Sequence, residues 1–213
     1  MDKMLSVVLP AYNEEQMIKK TAQVVGDLLE KEQIPYELVF VNDGSKDHTW
    51  EKILELKEER AHIKGVCFSR NFGKEAALYA GLERAKGDYV ITMGVDLQDP
   101  PYLIPKMIRC IEEENYDSVA TRRVTREGEP VIRSFFARQF YKLINKISDS
   151  NIVDGARDFR MMKRKMVDAI LTMPEYNRFT KGIFGWVGFE TKWLEYKNVD
   201  CLLYTSPSPR DGL

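Results

Sequence analysis

Histidine is nearly missing from this 213-residue chain: only His48 and His62 are present, so histidine-based triads and His-rich metal sites have little material. Cysteine is almost as scarce. Cys67, Cys110 and Cys201 are odd in number and far apart, which argues against a disulfide framework or a zinc site and fits a reducing compartment. No run approaches the roughly 20 apolar residues of a membrane span. The first strand-like run begins within a few residues of Met1, leaving no room for a signal peptide. Charge of either sign is not in excess. The net charge of −1, with no basic tail, offers no field for nucleic acid. There is no internal repeat, and the glycine-rich loops of dinucleotide-binding and P-loop proteins are absent.

What is present is an ordinary globular balance, 44% hydrophobic and 31% charged, over a length of one to one and a half domains. The stretch Tyr89 to Pro101, YVITMGVDLQDPP, organises the rest. Its apolar start, bounded by Gly-Asp before and by Gly and Pro after, predicts a buried strand. Asp96, Gln98 and Asp99 fall at the carboxyl end of that strand, where ligands sit in open α/β sheets. Two carboxylates and an amide are hard oxygen ligands of the kind Mg²⁺ or Mn²⁺ accepts alongside substrate phosphates. The same turn would serve equally as an acidic cap for a helix started by Pro101.

Upstream, the pattern alternates. Strands are expected over 5–9, 37–41 and 63–68, each followed by a turn and a helix. Asn13 is placed to cap the first helix, with Glu14 and Glu15 in its first turn. The segment Asn42-Asp43-Gly44-Ser45 follows the second strand, and Ser69 to Lys74 follows the third. Strand and helix repeated in this way define an α/β protein with a mostly parallel, doubly wound sheet. Right-handed crossovers then bring Asn13 and Glu14, Asp43, Arg70 and Asn71, and Asp96 and Gln98 to one edge.

Several motifs in order are more specific than this pattern. VVLPAYNEE, VNDGSKDHT, SRNFGKEAALYAGL, GDYVITMGVDLQDPP and DFRMMKRK together resemble family 2 glycosyltransferases with the GT-A fold. Within these the resemblance is greatest to polyprenyl-phosphate hexosyltransferases, the group of bactoprenol glucosyltransferase and dolichyl-phosphate mannose synthase, and it spans about residues 4–198. It implies that Pro10, Tyr12, Asn13 and Glu14 line a nucleotide pocket, and that Asp43 holds the base or ribose side. Asp96 and Gln98 would bind the Mg²⁺ or Mn²⁺ that bridges the diphosphate of a UDP- or GDP-sugar. The chain departs from the family at one point. An aspartate usually stands two residues before Asp96, and here that residue is Gly94.

The second half carries the acceptor features that the resemblance implies. After a helical stripe over 104–111 and a strand over 117–120, Arg122 and Arg133 are candidates for the acceptor phosphate, although surface charge explains Arg122 equally well. Residues 131–147 place Ile132, Phe135, Phe136, Phe140, Leu143, Ile144 and Ile147 on one face and Arg133, Arg138, Lys142 and Lys146 elsewhere, a pattern that suits a membrane interface or a core-packed helix. Asp158 is the candidate base. Arg178 and Lys181 would clamp the diphosphate. Residues 186–196 are expected to form a final hairpin.

The domain reading is a donor half, 1–121, and an acceptor half, 122–200. The tail 201–213, CLLYTSPSPRDGL, shifts to serine and proline and reads as foreign to the fold, with membrane helices expected beyond it in the native protein. The implied partners are a nucleotide-sugar, a polyprenyl phosphate and the cytoplasmic face of a membrane. A homo-oligomer is compatible with all of this. Two other readings remain open from the residues: a transferase with a saccharide acceptor, and a non-catalytic sugar-nucleotide-binding protein.

Overall fold

In the computed structural model, residues 3–123, 156–173, 175 and 178–196 are described. The helix expected over 131–147, Arg133 within it, and the tail 201–213 lie outside the described residues. The elements run β1 (Leu5–Ala11), α1 (Glu15–Lys31), β2 (Tyr36–Asn42), α2 (Thr49–Glu59), β3 (Ile63–Cys67), α3 (Lys74–Arg84) and β4 (Tyr89–Thr92). A 3₁₀ turn (Pro101–Leu103) leads to α4 (Ile104–Glu112), β5 (Ser118–Arg123), β6 (Ala156–Lys163), α5 (Arg164–Leu171), α6 (Thr180–Trp186) and β7 (Thr191–Tyr196).

All seven strands join one sheet in the order β3-β2-β1-β4-β6-β5-β7. β1 pairs in parallel with both β2 and β4, and β2 with β3. β6 is antiparallel to its neighbours β4 and β5, and β5 and β7 are parallel. The sheet is therefore mostly parallel, as expected, with one reversed strand. The expected final hairpin is corrected: Trp186 ends α6, residues 187–190 hold no strand, and 191–196 is a single strand parallel to β5. Only 191–196 of the expected hairpin is strand, and its partner in the sheet, β5, is not a local property of the sequence.

Buried strands covered on both faces need apolar residues at nearly every position, and β1 and β4 meet that need. Leu5, Val7 and Leu9 join Phe40 and Ile91 in a core closed by Ile18, Val25 and Leu29 of α1, Ile53 of α2 and Met107 of α4. Val8, Val39 and Val90 face the other way, against Leu82, Met166, Val167, Ile170 and Phe184. The result is a helix–sheet–helix sandwich.

One buried charge ties the amino ends of the strands. Glu37, 4% exposed, accepts from Ser6 Oγ at 2.6 Å and from the Lys86 amide at 2.7 Å, and pairs with Lys64. Burial opposes this charge, but Lys64, Ser6 and the Lys86 amide outweigh it and hold the carboxyl below its ordinary 4.5. A folded-state value below the unfolded one contributes stability that is fully present above about pH 4.5 and is lost as pH falls through the depressed value. Denaturant midpoints measured from about pH 6 down to about pH 3 should fall, and Glu37→Gln should flatten that slope. An equally steep slope in the variant would assign the acid sensitivity elsewhere.

Candidate active site

Chain order leaves β1 toward β2 and β3 on one side, then crosses to β4 on the other. This makes the carboxyl ends of β1 and β4 the switch point at which open α/β sheets leave a crevice. A cleft of about 340 Å³ lies there, lined by Pro10, Tyr12, Glu14, Asp43, Asn71, Gly73, Lys74, Gly94 and Asp96 among others. The structure thus brings together five of the expected donor residues: Pro10, Tyr12, Glu14, Asp43 and Asp96. Asn13, Arg70 and Gln98 stand beside the cleft on the same loops without lining it.

Each loop is held by the next. Asn13 does not cap α1, as the sequence suggested. It adopts a left-handed conformation (φ 55°), and the residue flanking the helix is Glu14, whose side chain makes no capping bond. The Asn13 side chain instead accepts from the Lys46 amide at 2.9 Å, while its own amide donates to Ser45 Oγ at 2.9 Å. The free amides at the start of α1 are satisfied from the same loop: Glu14 N donates to Thr49 Oγ1 at 2.8 Å and Glu15 N to Asp47 Oδ2 at 3.1 Å. The cap lies across space rather than in the adjacent residue, which is why local reading misplaced it.

Asp43 is 4% exposed because its carboxylate is committed to the loop after β3, accepting from Phe72 N at 2.7 Å and Gly73 N at 3.0 Å. Beside it Gly44 has φ +63°, and a Cβ there would stand 2.5 Å from the Asn71 nitrogen. Gly44→Ala is expected to destabilise the fold by about 1–3 kcal/mol, combining left-handed strain with a backbone clash. The clash should also move Asn71 in the cleft wall; equal denaturant midpoints would refute the close packing of the two loops.

The loop after β4 holds the acidic residues. Asp99 is 4% exposed; it accepts from Gly94 N at 3.3 Å and from Arg157 Nε at 3.3 Å. Burial pushes its carboxyl above the ordinary value despite Arg157. Asp99 thus shapes the loop rather than facing the cleft. Asp96, partly exposed, lines the cleft and accepts from the Gln98 amide at 3.2 Å across a left-handed Leu97. Gln98 is exposed. Among the described residues no three His, Cys, Asp or Glu side chains cluster as a metal cage. One carboxylate and one amide are nonetheless a hard-oxygen pair that fits Mg²⁺ or Mn²⁺ when donor phosphates and water fill the remaining positions.

The reversed strand β6 reaches the cleft through an ion pair with one of its lining residues, Lys74. Its register sets Thr92 opposite Arg160, so one further pair of steps brings Asp158 level with Gly94. Thr92 Oγ1 donates to the Asp158 carbonyl, and the Asp158 carboxylate pairs with Lys74. Burial works against the charge on Asp158, but Lys74, then Lys181 and Arg157, outweigh it and hold the carboxyl below its ordinary 3.8. Lys181, on α6, is therefore part of the same electrostatic cluster. Lys74 and Arg157 had been given no role from sequence, although each lay inside or beside a motif.

The remaining expected residues are placed elsewhere. Arg178 lines a second cavity of about 840 Å³ with Phe68, Phe72 and Tyr79; it stacks over the Tyr79 ring, donates to the Met173 carbonyl, and its side chain is 6% exposed. Arg122 is exposed on β5 and donates from Nε to Glu195 on β7 at 2.9 Å. No helix among the described residues is long and apolar enough to cross a membrane.

The switch-point cleft lined by Glu14, Asp43 and Asp96 belongs to an α/β protein whose solved structural neighbours are GT-A glycosyltransferases. A mannosyltransferase of Pyrobaculum calidifontis, solved in complex with GDP-mannose and Mn²⁺, superposes with a TM-score of 0.61 at 18% identity, over 92% of this chain and 56% of that one. The model of glycosyl transferase family 2 matches residues 6–171, and the chain belongs to that family. The bactoprenol glucosyl transferase of Shigella phage SfV is 42% identical over 92% of this chain. A prophage bactoprenol glucosyl transferase homolog of Escherichia coli K12 is also 42% identical over 92% of it. The chain spans 64% of the length of each of these two relatives, and 59% of the glycosyltransferase CsbB of Bacillus subtilis.

Proposed function

We propose that this chain is the catalytic part of an inverting glycosyltransferase that moves a hexose from a UDP- or GDP-sugar to polyprenyl phosphate. The observation that carries the reading is a switch-point cleft lined by Asp96 and Lys74, with the Lys74 ammonium paired to Asp158 of the reversed strand β6. Family membership and the names of the 42% identical relatives support the acceptor class.

The reaction is a single displacement. An acceptor phosphate oxygen forms a bond to the anomeric carbon as the bond from that carbon to the diphosphate breaks, and its electron pair leaves with the nucleoside diphosphate. A phosphate monoester is largely ionised near neutral pH, so Asp158 orients it or takes a residual proton. Pro10, Tyr12, Asn13, Glu14 and Asp43 are assigned to the nucleotide side. Asp96 and Gln98 would hold a Mg²⁺ or Mn²⁺ ion, which when bound supplies Lewis-acid stabilisation of the leaving diphosphate. Lys181 lies close enough to influence Asp158 and is assigned to the same anionic group. Lys181 is assigned to the diphosphate side without Arg178, which is held in the second cavity against Tyr79 and the Met173 carbonyl, and Arg122 and Arg133 are assigned to the acceptor phosphate. The donor half 1–121, the acceptor half 122–200, an interfacial segment 131–147 and work at the cytoplasmic membrane face complete the proposal.

The test mixes the protein with undecaprenyl phosphate in detergent and, in turn, radiolabelled UDP-glucose, UDP-N-acetylglucosamine and GDP-mannose, with Mn²⁺ and with chelator. Label in the lipid phase from one donor, dependent on Mn²⁺, is the expected result. Label reaching a soluble saccharide instead would replace the acceptor. Gly94 favours a second reading, a sugar-nucleotide-binding protein without catalysis; nucleotide binding with no transfer from any donor would select it.

A further inference from the structure

We propose that Lys74 is a shared cation: it pairs with Asp158 while the cleft is empty and moves onto the donor diphosphate when nucleotide binds, releasing the Asp158 carboxylate to the acceptor. The inference rests on the nucleotide-sugar reading above and assigns a second task to the same site.

Four observations carry it. Lys74, the first residue of α3, lines the cleft together with Asp43, Gly94 and Asp96. Its side chain is 45% exposed, so its ammonium group is already at the cleft surface and needs little desolvation to change partners. Its ion-pair partner Asp158 comes from a different element, the reversed strand β6, and does not itself line the cleft. Finally, Asp158 does not depend on Lys74 alone, since Lys181 and Arg157 also favour its charge. When Lys74 departs, a compensated carboxylate remains.

Lysine suits this exchange. Its ammonium is a compact charge on a flexible stem with three donors, able to turn from a carboxylate to phosphate oxygens. Gly94 sharpens the need for it. With no carboxylate at position 94, Asp96 is the acidic side chain left at that end of the cleft wall, and a cation from the protein takes a larger share of the diphosphate charge. Nucleotide binding and arming of the acceptor site then become one event, because the same ammonium serves both anions in turn.

Calorimetry on the full chain tests this with UDP and GDP against UMP and GMP, in chelator and in Mn²⁺. Lys74→Met is expected to weaken diphosphate binding about 10- to 100-fold while leaving the monophosphates almost unchanged. Lys74→Arg should recover part of the loss. Asp158→Asn is expected to tighten diphosphate binding in the native background, because it frees Lys74, and to have no such effect in Lys74→Met. Thermal unfolding of each variant reports on folding, and the Asp158→Asn and Lys74→Arg pair carries the test if Lys74→Met does not fold. Equal diphosphate affinity in native protein and a folded Lys74→Met would overturn the proposal. So would an Asp158→Asn gain of the same size in both backgrounds, since that reports only a change of local field. A native protein that binds none of the four nucleotides removes the nucleotide-sugar reading, and this inference with it.

Discussion

Asp158→Asn is expected to lower the transfer rate by about 10²–10⁴-fold, with donor affinity retained or improved. Asparagine keeps the shape and the neighbours but cannot accept a proton or repel the diphosphate. The fold should tolerate it. Lys74 is 45% exposed, so losing its partner leaves its charge in water rather than buried. The lower end of the range corresponds to an acceptor phosphate that arrives fully ionised and needs only orientation; the upper end, to one that arrives with a proton. The pH profile separates these. Burial opposes ionisation of Asp158, but Lys74, Lys181 and Arg157 hold it below its ordinary 3.8, so in the free protein the base is ionised across the neutral range. A carboxylate base loses function as pH falls through its pKa, so the acid limb that Asp158 contributes to kcat/KM lies below the ordinary carboxylate range and beneath the one set by ionisation of the acceptor phosphate. If Lys74 transfers to the diphosphate, the Asp158 carboxylate loses its largest stabilising partner in the complex, and the acid limb of kcat lies higher than that of kcat/KM. An Asp158→Asn enzyme with native kcat would refute the assignment of Asp158 as the group acting on the acceptor.

The cleft was legible for a physical reason. In a parallel sheet every strand delivers its following turn to the same edge, so polar residues after apolar runs in 5–9, 37–41 and 89–93 had to meet. Glu14, Asp43 and Asp96 do so. What was not legible depends on contacts between elements distant in sequence. The reversal of β6, which brings Asp158 level with Gly94, follows from how residues 156–163 pair with β4 and β5, and no local periodicity encodes strand direction. The final hairpin failed for the same reason, since the single strand 191–196 found its partner in β5. Asn13 has the composition of a cap, but Thr49 and Asp47, more than thirty residues away, satisfy the start of α1, leaving Asn13 free to bind the Lys46 amide. Asp99 shows the limit in charge space. It was one of three candidate ligands in its turn, yet Arg157 and the Gly94 amide claim it, and burial rather than a cation sets its ionisation.

Gly94→Asp is expected to raise affinity for Mn²⁺ in the presence of nucleoside diphosphate by about 10- to 100-fold, the scale on which partners of metal ligands act. The backbone permits the change. Gly94 is not among the glycines with positive φ, and a Cβ there would stand 2.7 Å from Asp96 Oδ1. That atom ends a flexible side chain, so the Asp96 carboxylate can swing aside without moving the strand. The electrostatic consequence has two signs. Without metal, the new carboxylate joins Asp96, the buried Asp99 and, across the register, Asp158, so like-charge repulsion should lower the unfolding temperature. With metal and nucleotide, the same carboxylates share a divalent cation, and binding to the folded state alone should reverse that loss by mass action. Thermal unfolding with and without Mn²⁺, on native protein and variant, therefore gives curves that cross. A variant whose stability and nucleotide affinity respond to Mn²⁺ no more than those of the native protein would remove Asp96 and Gln98 from the metal assignment and leave Lys74 as the principal counter-charge to the diphosphate. If the curves do cross, the variant also reports on Lys74. A metal that takes up the diphosphate charge leaves less for the ammonium to do, so Lys74→Met should cost less in the Gly94→Asp background than in the native one.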